Sequence, residues 1–439
     1  MNKIIYRLQQ LKSSFWFLPL CIMMMGVLGA LVMLYIDKQF NSDDLKSFAI
    51  LLPENASSAR NVLSVIAGAM IGVAGTVFSI TLVVLTLAAS QFGPRLLRNF
   101  MYVTLNQIVL GLYISTFIYA LIILNAVEGA ENYKFIPRFS VLVALISTFV
   151  SLVYLIIFIH GVSVSIQPST ILTDLRQELE RSIAKIYPNE VGSDATFFNE
   201  ENVAALKKKY AYSKEIRNKK SGYVAYIDID KIVEIAEERD VLFEINCKPG
   251  DFIVSRESLG NVYFNSPDGK EALDVTNYFN FEKSKTVFQD TEFAIHQIVE
   301  VACKALSPGI NDPYTAINCI DNLTSVLSVA TSLNFPSAFR TNKVGELILV
   351  AQTNTFSGFI NAAFTQIRQF SGTVPAVLNR LMESLITIKK LAHNESQLNI
   401  LSKHANNIME EAQSKFSVKS DLDDLGERYN SFKNAKPKQ

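Results

Sequence analysis

The sequence predicts an α-helical integral membrane protein, with four transmembrane helices followed by a cytoplasmic region that is first α+β and then helical. Three observations predict it. Four uncharged apolar runs, 15–36, 62–90, 103–125 and 139–159, precede residue 160, and each meets the ~20 residues needed to cross a hydrocarbon core. Beyond them, strand-like alternation occupies 221–264 and helical periodicity 290–413. Charge is balanced, with 41 Lys plus Arg against 41 Asp plus Glu in 439 residues, so the net charge gives no reason to expect nucleic acid as a partner. The implied divisions are a four-span membrane domain at 1–162, a linker with a basic helix at 163–220, a small α+β module at 221–288, a helical domain at 289–416 and a polar, frayed tail at 417–439.

The first run is too long for a cleaved signal peptide, and Tyr35-Ile36-Asp37 lacks a small-residue cleavage pattern. The second run is the most informative. Asn61, Ser64, Gly68, Gly72, Gly75, Ser79, Thr86 and Ser90 fall within an arc of about 100° on a helix. In lipid such a side meets another helix or lines water. Leu82 and Val83 interrupt it, and in a water-filled path they are the natural hydrophobic constriction. The fourth run carries its own small seam, Ser140, Ala144, Ser147 and Ser151, the packing partner expected for the second. Packing is the preferred reading of the second run and pore lining the other. All four runs lack Asp, Glu, Lys and Arg, which argues against a pump but not against a passive pore.

Orientation follows from basic density beside the runs. Lys3, Arg7 and Lys12 precede the first run without an acid, and Arg95 and Arg98 follow the second, again without one. The opposite loops mix Lys38, Lys46, Arg60, Lys134 and Arg138 with Asp37, Asp43, Asp44, Glu54, Glu128 and Glu131. This places both termini in the cytoplasm. Cys21, Cys247, Cys303 and Cys319 have no close pairing, in keeping with a reducing compartment.

After the runs, a charged helix is expected over 169–186, with Leu172, Leu175, Leu179 and Ile186 near one face, and a loop over 188–194. The stretch 200–220 reads as a basic helix carrying Lys207-Lys208-Lys209, Arg217, Lys219 and Lys220, more a solvated face than a headgroup contact. Strands are expected at 223–227, 241–246, 252–255 and 261–264, with a helix over 231–239 capped by Asp228 or Asp230. Lys248-Pro249-Gly250-Asp251 is a turn, similar to one in small lipoyl-like barrels but with no lysine at a hairpin tip to carry a cofactor.

One segment stands apart, the helix–loop–helix from Phe293 through Ala316. Ile295, Ile298, Val299, Ala302, Ala305 and Leu306 form its core stripe, and Asp312-Pro313 is a strong helix start. The plain reading is a well-punctuated corner. The sharper one is a ligand or subunit-contact loop at Ser307, Gly309, Asn311 and Asp312. His296 and Glu300 lie four apart and can meet on one helix face. With no third ligand in view, an ion pair or hydrogen bond is favoured over a metal site, and neither metal nor cofactor is expected. His160, His393 and His404 are isolated. No P-loop, dinucleotide fingerprint, HExxH or GxSxG occurs, so an enzyme is not expected.

Several motifs resemble one bacterial family: Ser14-Phe15-Trp16-Phe17-Leu18-Pro19, Ala74-Gly75-Thr76-Val77-Phe78-Ser79, Ser90-Gln91-Phe92-Gly93-Pro94-Arg95, His160, Ser221-Gly222-Tyr223-Val224, Pro249-Gly250-Asp251-Phe252, and Ala305-Leu306-Ser307-Pro308-Gly309-Ile310-Asn311-Asp312-Pro313. It is the predicted multi-pass membrane family called domain of unknown function twenty-two fifty-four. The resemblance spans nearly the whole chain and implies a bacterial inner-membrane protein with a cytoplasmic C-terminal region. It carries over no catalytic residue. Ser255-Arg256-Glu257 departs from the family pattern, which tends to place a glycine there. The leading functional expectation is a homo-oligomeric, channel-like protein in the lipid bilayer, gated or assembled by its cytoplasmic domain. The alternative is a membrane-anchored sensor or scaffold without transport, and an enzyme comes third.

Overall fold

A computed structural model describes residues 16–39, 53, 55–93, 104–130, 133–165, 167–186, 198, 200–265, 274–285, 290–372 and 374–437. Lys3, Arg7, Lys12, Lys46, Arg95, Arg98, Asp43, Asp44, Glu54, Glu131 and the 188–194 loop lie outside the described residues, as do Ser14, Phe15 and Pro94 of the quoted motifs. The chain divides into two compact units, Met1–Thr170 and Ile171–Gln439.

In the first unit the four apolar runs form helices α1 (Phe17–Gln39), α2 (Ala56–Phe92), α3 (Thr104–Ala126) and α4 (Arg138–Ser165), each long and apolar enough to cross a membrane. At 37 residues, α2 is about 55 Å long. It starts well before its apolar run because Asn55 caps it, accepting from Ser58 N at 2.8 Å. Helix α3 packs against α1, α2 and α4, burying Val109, Gly111, Tyr113, Thr116, Ala120 and Ile123. Close approach of α1 and α3 rests on two glycines: a Cβ on Gly26 would overlap Ser115 Oγ, and one on Gly111 would crowd Ile22 and Pro19. A short antiparallel pair, β1 (Glu128–Ala130) and β2 (Tyr133–Phe135), joins α3 to α4.

Helix α5 (Pro168–Ile186) leads into the second unit with Ile171, Leu172, Leu175, Leu179 and Ile183 buried. The stretch 200–220 is not one basic helix. Helix α6 (Glu200–Lys207) stops early, and β3 (Tyr212–Arg217) pairs antiparallel with β7 (Ser258–Phe264), turning Ile216 into the core. Three of its basic residues form ion pairs, Lys207 with Glu244, Arg217 with Glu215 and Lys219 with Asp274, while Lys208, Lys209 and Lys220 are exposed.

Next come β4 (Gly222–Ile227), α7 (Ile229–Arg239) capped by Asp228, β5 (Leu242–Ile245) and β6 (Phe252–Ile253). After β7 follow a 3₁₀ turn at Thr276–Tyr278 and β8 (Phe279–Glu282). The rest is mostly helical: α8 (Thr291–Ala305), α9 (Pro313–Ala330), α10 (Phe356–Phe370), α11 (Pro375–Lys390), α12 (Glu395–Lys415) and α13 (Lys419–Asn434).

The 290–413 stretch is nevertheless interrupted by β9 (Phe339–Thr341) and β10 (Leu347–Ala351). These complete a five-stranded sheet of order β3-β7-β5-β10-β9, with β10 parallel to β5 in register Leu349↔Phe243. Leu347-Ile348-Leu349-Val350-Ala351 is a short apolar run with no period to separate strand from buried helix, and its partner strand decides. A second sheet has order β6-β4-β8. Nor is the stretch from Ser417 a frayed tail. In α13, Leu425 and Phe432 are buried, Arg428 Nε donates to Glu383 at 2.9 Å, and Lys389 Nζ donates to the Phe432 carbonyl at 2.7 Å.

Arg256 adopts left-handed backbone at φ 73°, in the Ser255-Arg256-Glu257 segment where the resembled family tends to place glycine. The turn closes without it: Glu257 N donates to Val254 O at 3.1 Å and Arg256 N to Asn218 O at 2.8 Å. A side chain in this region costs about 1 kcal/mol. Arg256→Gly should therefore raise the second unit's unfolding midpoint in calorimetry. A lowered midpoint would mean that the arginine side chain contributes more than its backbone costs.

Candidate functional site

In the first unit the α2 seam is turned away from the bundle. Helix α2 packs inward through Ala59, Leu63, Ile66, Ala67, Met70, Ala74 and Val77, the larger and more continuous apolar face. Gly68, Gly72, Gly75, Ser79, Thr86 and Ser90 are all exposed. No described atom lies within 4 Å of where a Cβ would stand on Gly68, Gly72 or Gly75. The hydroxyls return to their own helix, Ser79 Oγ to Gly75 O at 2.9 Å and Thr86 Oγ1 to Leu82 O at 2.9 Å. Leu82 and Val83, 47% and 59% exposed, share this outward surface.

The fourth-run seam therefore does not pack on the second-run seam. Its partners are the polar side chains of α3: Tyr113 Oη donates to Ser151 O at 2.9 Å, Tyr119 Oη to Ser140 O at 3.1 Å, and the Thr116 and Ser151 hydroxyls lie 3.4 Å apart. The N-terminus of α4 is closed by Asp37, from the last turn of α1. Its carboxylate accepts from Phe139 N and Ser140 N, both at 2.9 Å, and from Ser140 Oγ. Asp37 reads in the sequence as a loop acid. The signal for its role is that Ile136-Pro137-Arg138 begins a helix with no cap of its own.

In the second unit, the corner between α8 and α9 is locally determined. Asp312 caps α9, accepting from Thr315 N at 3.1 Å and Thr315 Oγ1 at 2.6 Å, and the Thr315 hydroxyl is the main cause holding its carboxyl below the usual range. Asn311 takes the left-handed region at φ 49°. Ser307 O accepts from Ile310 N and Asn311 N, Asp312 N donates to Ala305 O at 2.8 Å, and Ser307 Oγ donates to Lys304 O at 2.7 Å. The Ser307 and Asp312 side chains are engaged within the corner. What it presents outward is Pro308, Gly309, Ile310 (43% exposed), Asn311 and Tyr314 (81% exposed).

A second junction, not legible as a site in the sequence, gathers the 248–251 turn with the starts of α8 and α10. Lys248 Nζ pairs with Glu292 at 2.7 Å and reaches Asn354 Oδ1 at 3.3 Å, while Asn354 Nδ2 donates to Thr291 Oγ1 at 3.2 Å. Glu292 sits against Gly358, where a Cβ would crowd its Oε1. An anion held at the first turn of α10 suits the helix dipole.

Burial pushes the Cys303 thiol up to about 11 and Cys247 to about 12, and it raises Cys319 further, so all three stay protonated and poorly nucleophilic. His404 is buried, its Nε2 2.8 Å from Asn361 Oδ1, and burial holds it down to about 4. His160 and His393 are exposed. His296 and Glu300 stand half-buried on α8. Among the described residues, no three His, Cys, Asp or Glu side chains gather as a metal site.

Residues 12–387 match the family model described as "Predicted membrane protein (DUF2254)". The chain is 30% identical over 369 residues to uncharacterized proteins of Mycobacterium bovis and of two Mycobacterium tuberculosis strains, covering 83% of this chain and 70% of each relative. No solved structure matches it.

Proposed function

This chain belongs to the DUF2254 family of predicted membrane proteins, and on that premise we propose that it is a homo-oligomeric, channel-like protein of the bacterial inner membrane. In this reading both termini are cytoplasmic, copies meet around the α2 seam, and the second unit assembles or gates the opening. The observation that carries it is the outward seam: three glycines at which an added Cβ would meet no described atom within 4 Å, on a helix that buries its opposite face. Exposed glycine backbone gains little from lipid chains and gains dispersion and close approach from another helix. Four spans without Asp, Glu, Lys or Arg along their apolar runs suit passive movement rather than coupled transport. Leu82 and Val83 are then the hydrophobic constriction.

The test is flux from liposomes holding the purified chain. Ions or small solutes should pass, and Leu82→Ser should raise the flux severalfold by easing wetting of the constriction. Absence of conductance in every lipid and at every membrane tension rejects the proposal. A second reading, a membrane-anchored sensor or scaffold, is favoured by Ile310 and Tyr314 standing exposed on the α8–α9 corner. Its mark is binding at the Asn311–Asp312 loop with no flux.

A further inference from the structure

Within the second unit, Asp290 is built into a contact that depends on its charge. It caps α8, its Oδ1 accepting from Phe293 N at 2.9 Å, and only 5% of it is exposed. Its Oδ2 lies against Gly250, so closely that a Cβ there would overlap it. Gly250 needs its φ of 97° for the turn, and its N–H donates to Val224 O at 2.8 Å, fixing the turn to β4. The charged groups facing Asp290 are Lys285 ahead of α8, Glu292 on α8 and Lys248 on the turn, and Lys248 is already engaged by Glu292 and Asn354.

We infer that Asp290 is a pH-operated latch, holding the Lys248–Asp251 turn against the start of α8 in acid and loosening it as the pH rises towards neutrality. A neutral carboxyl can sit dry against Gly250 while still accepting from Phe293 N. A carboxylate needs water that this contact excludes. Burial is the main cause that lifts the group to about 6, above its ordinary 3.8. The closed contact therefore binds the proton more tightly than the open one. Its stability is full below the ordinary value, falls as the pH rises through about 6, and stays low above that.

Hydrogen–deuterium exchange of the full chain in lipid nanodiscs tests this at the amides of Gly250 and Phe293. After correction for intrinsic exchange, wild-type opening should increase about tenfold between about pH 5 and about pH 7.5. Asp290→Asn keeps a capping oxygen and carries no charge, so its contact should stay closed and its profile flat. Gly250→Ala should be open throughout. A flat wild-type profile, or the same pH dependence in Asp290→Asn, overturns the inference, as does a Gly250→Ala variant as closed as wild type. If Gly250→Ala does not fold, the other two profiles decide.

Discussion

Replacing Asp37 by alanine should destabilise the four-helix unit by about 3 kcal/mol, the sum of a lost helix cap and of charge-assisted bonds left without an acceptor. The first turn of an apolar helix has N–H groups that its own backbone cannot satisfy. Near a membrane there is less water to take them, and Ile136-Pro137 supplies no side-chain oxygen. Asp37 reaches across from the end of α1 to do so, with both carboxylate oxygens on the backbone N–H groups of Phe139 and Ser140. Its negative charge also suits the positive end of α4. Asp37→Asn retains one acceptor and should lose about 1 kcal/mol. Unfolding titrations in detergent micelles measure both. A loss for Asp37→Ala no greater than that for Asp37→Asn would mean that water already serves these N–H groups.

What the sequence made legible follows the range of the forces involved. The four long helices are written in uninterrupted apolar length, a local property, and so is the α8–α9 corner, where Asp312 and Pro313 act on the helix they begin. The seam of α2 is also visible as residues sharing a face. Which way that face turns is not, because it depends on competition with the Ala59–Val77 side for the surface of α3. The neighbour of the fourth-run seam is hidden for a related reason. Small residues announce close approach but not the partner, and here the partners are the hydroxyls of Tyr113, Thr116 and Tyr119. Strands β3 and β10 are set by pairing with segments more than forty residues away, which overrides their local pattern. The Gly250–Asp290 contact joins residues forty positions apart and has no sequence period at all.

Two glycine substitutions of the same kind should have opposite consequences. Gly26→Leu drives a side chain into Ser115 on α3, where the helices are already in contact, and such overpacking costs about 3 kcal/mol when the backbones must part. The four-helix unit should unfold earlier in detergent, whatever the state of assembly. At Gly72 an added Cβ meets no described atom within 4 Å, and leucine is the better helix former by several tenths of a kcal/mol. The isolated chain should therefore fold as well as wild type or slightly better. Its effect should appear only between copies: a branched side chain on the seam holds neighbouring α2 backbones apart, so native mass spectrometry from nanodiscs should record smaller assemblies and the liposome flux should be lost. If Gly72→Leu leaves both assembly size and flux unchanged, the seam faces lipid alone, and the channel-like reading loses the observation that carries it. If Gly26→Leu shares the Gly72→Leu phenotype with no loss of stability, then α1 as well as α2 lies between copies.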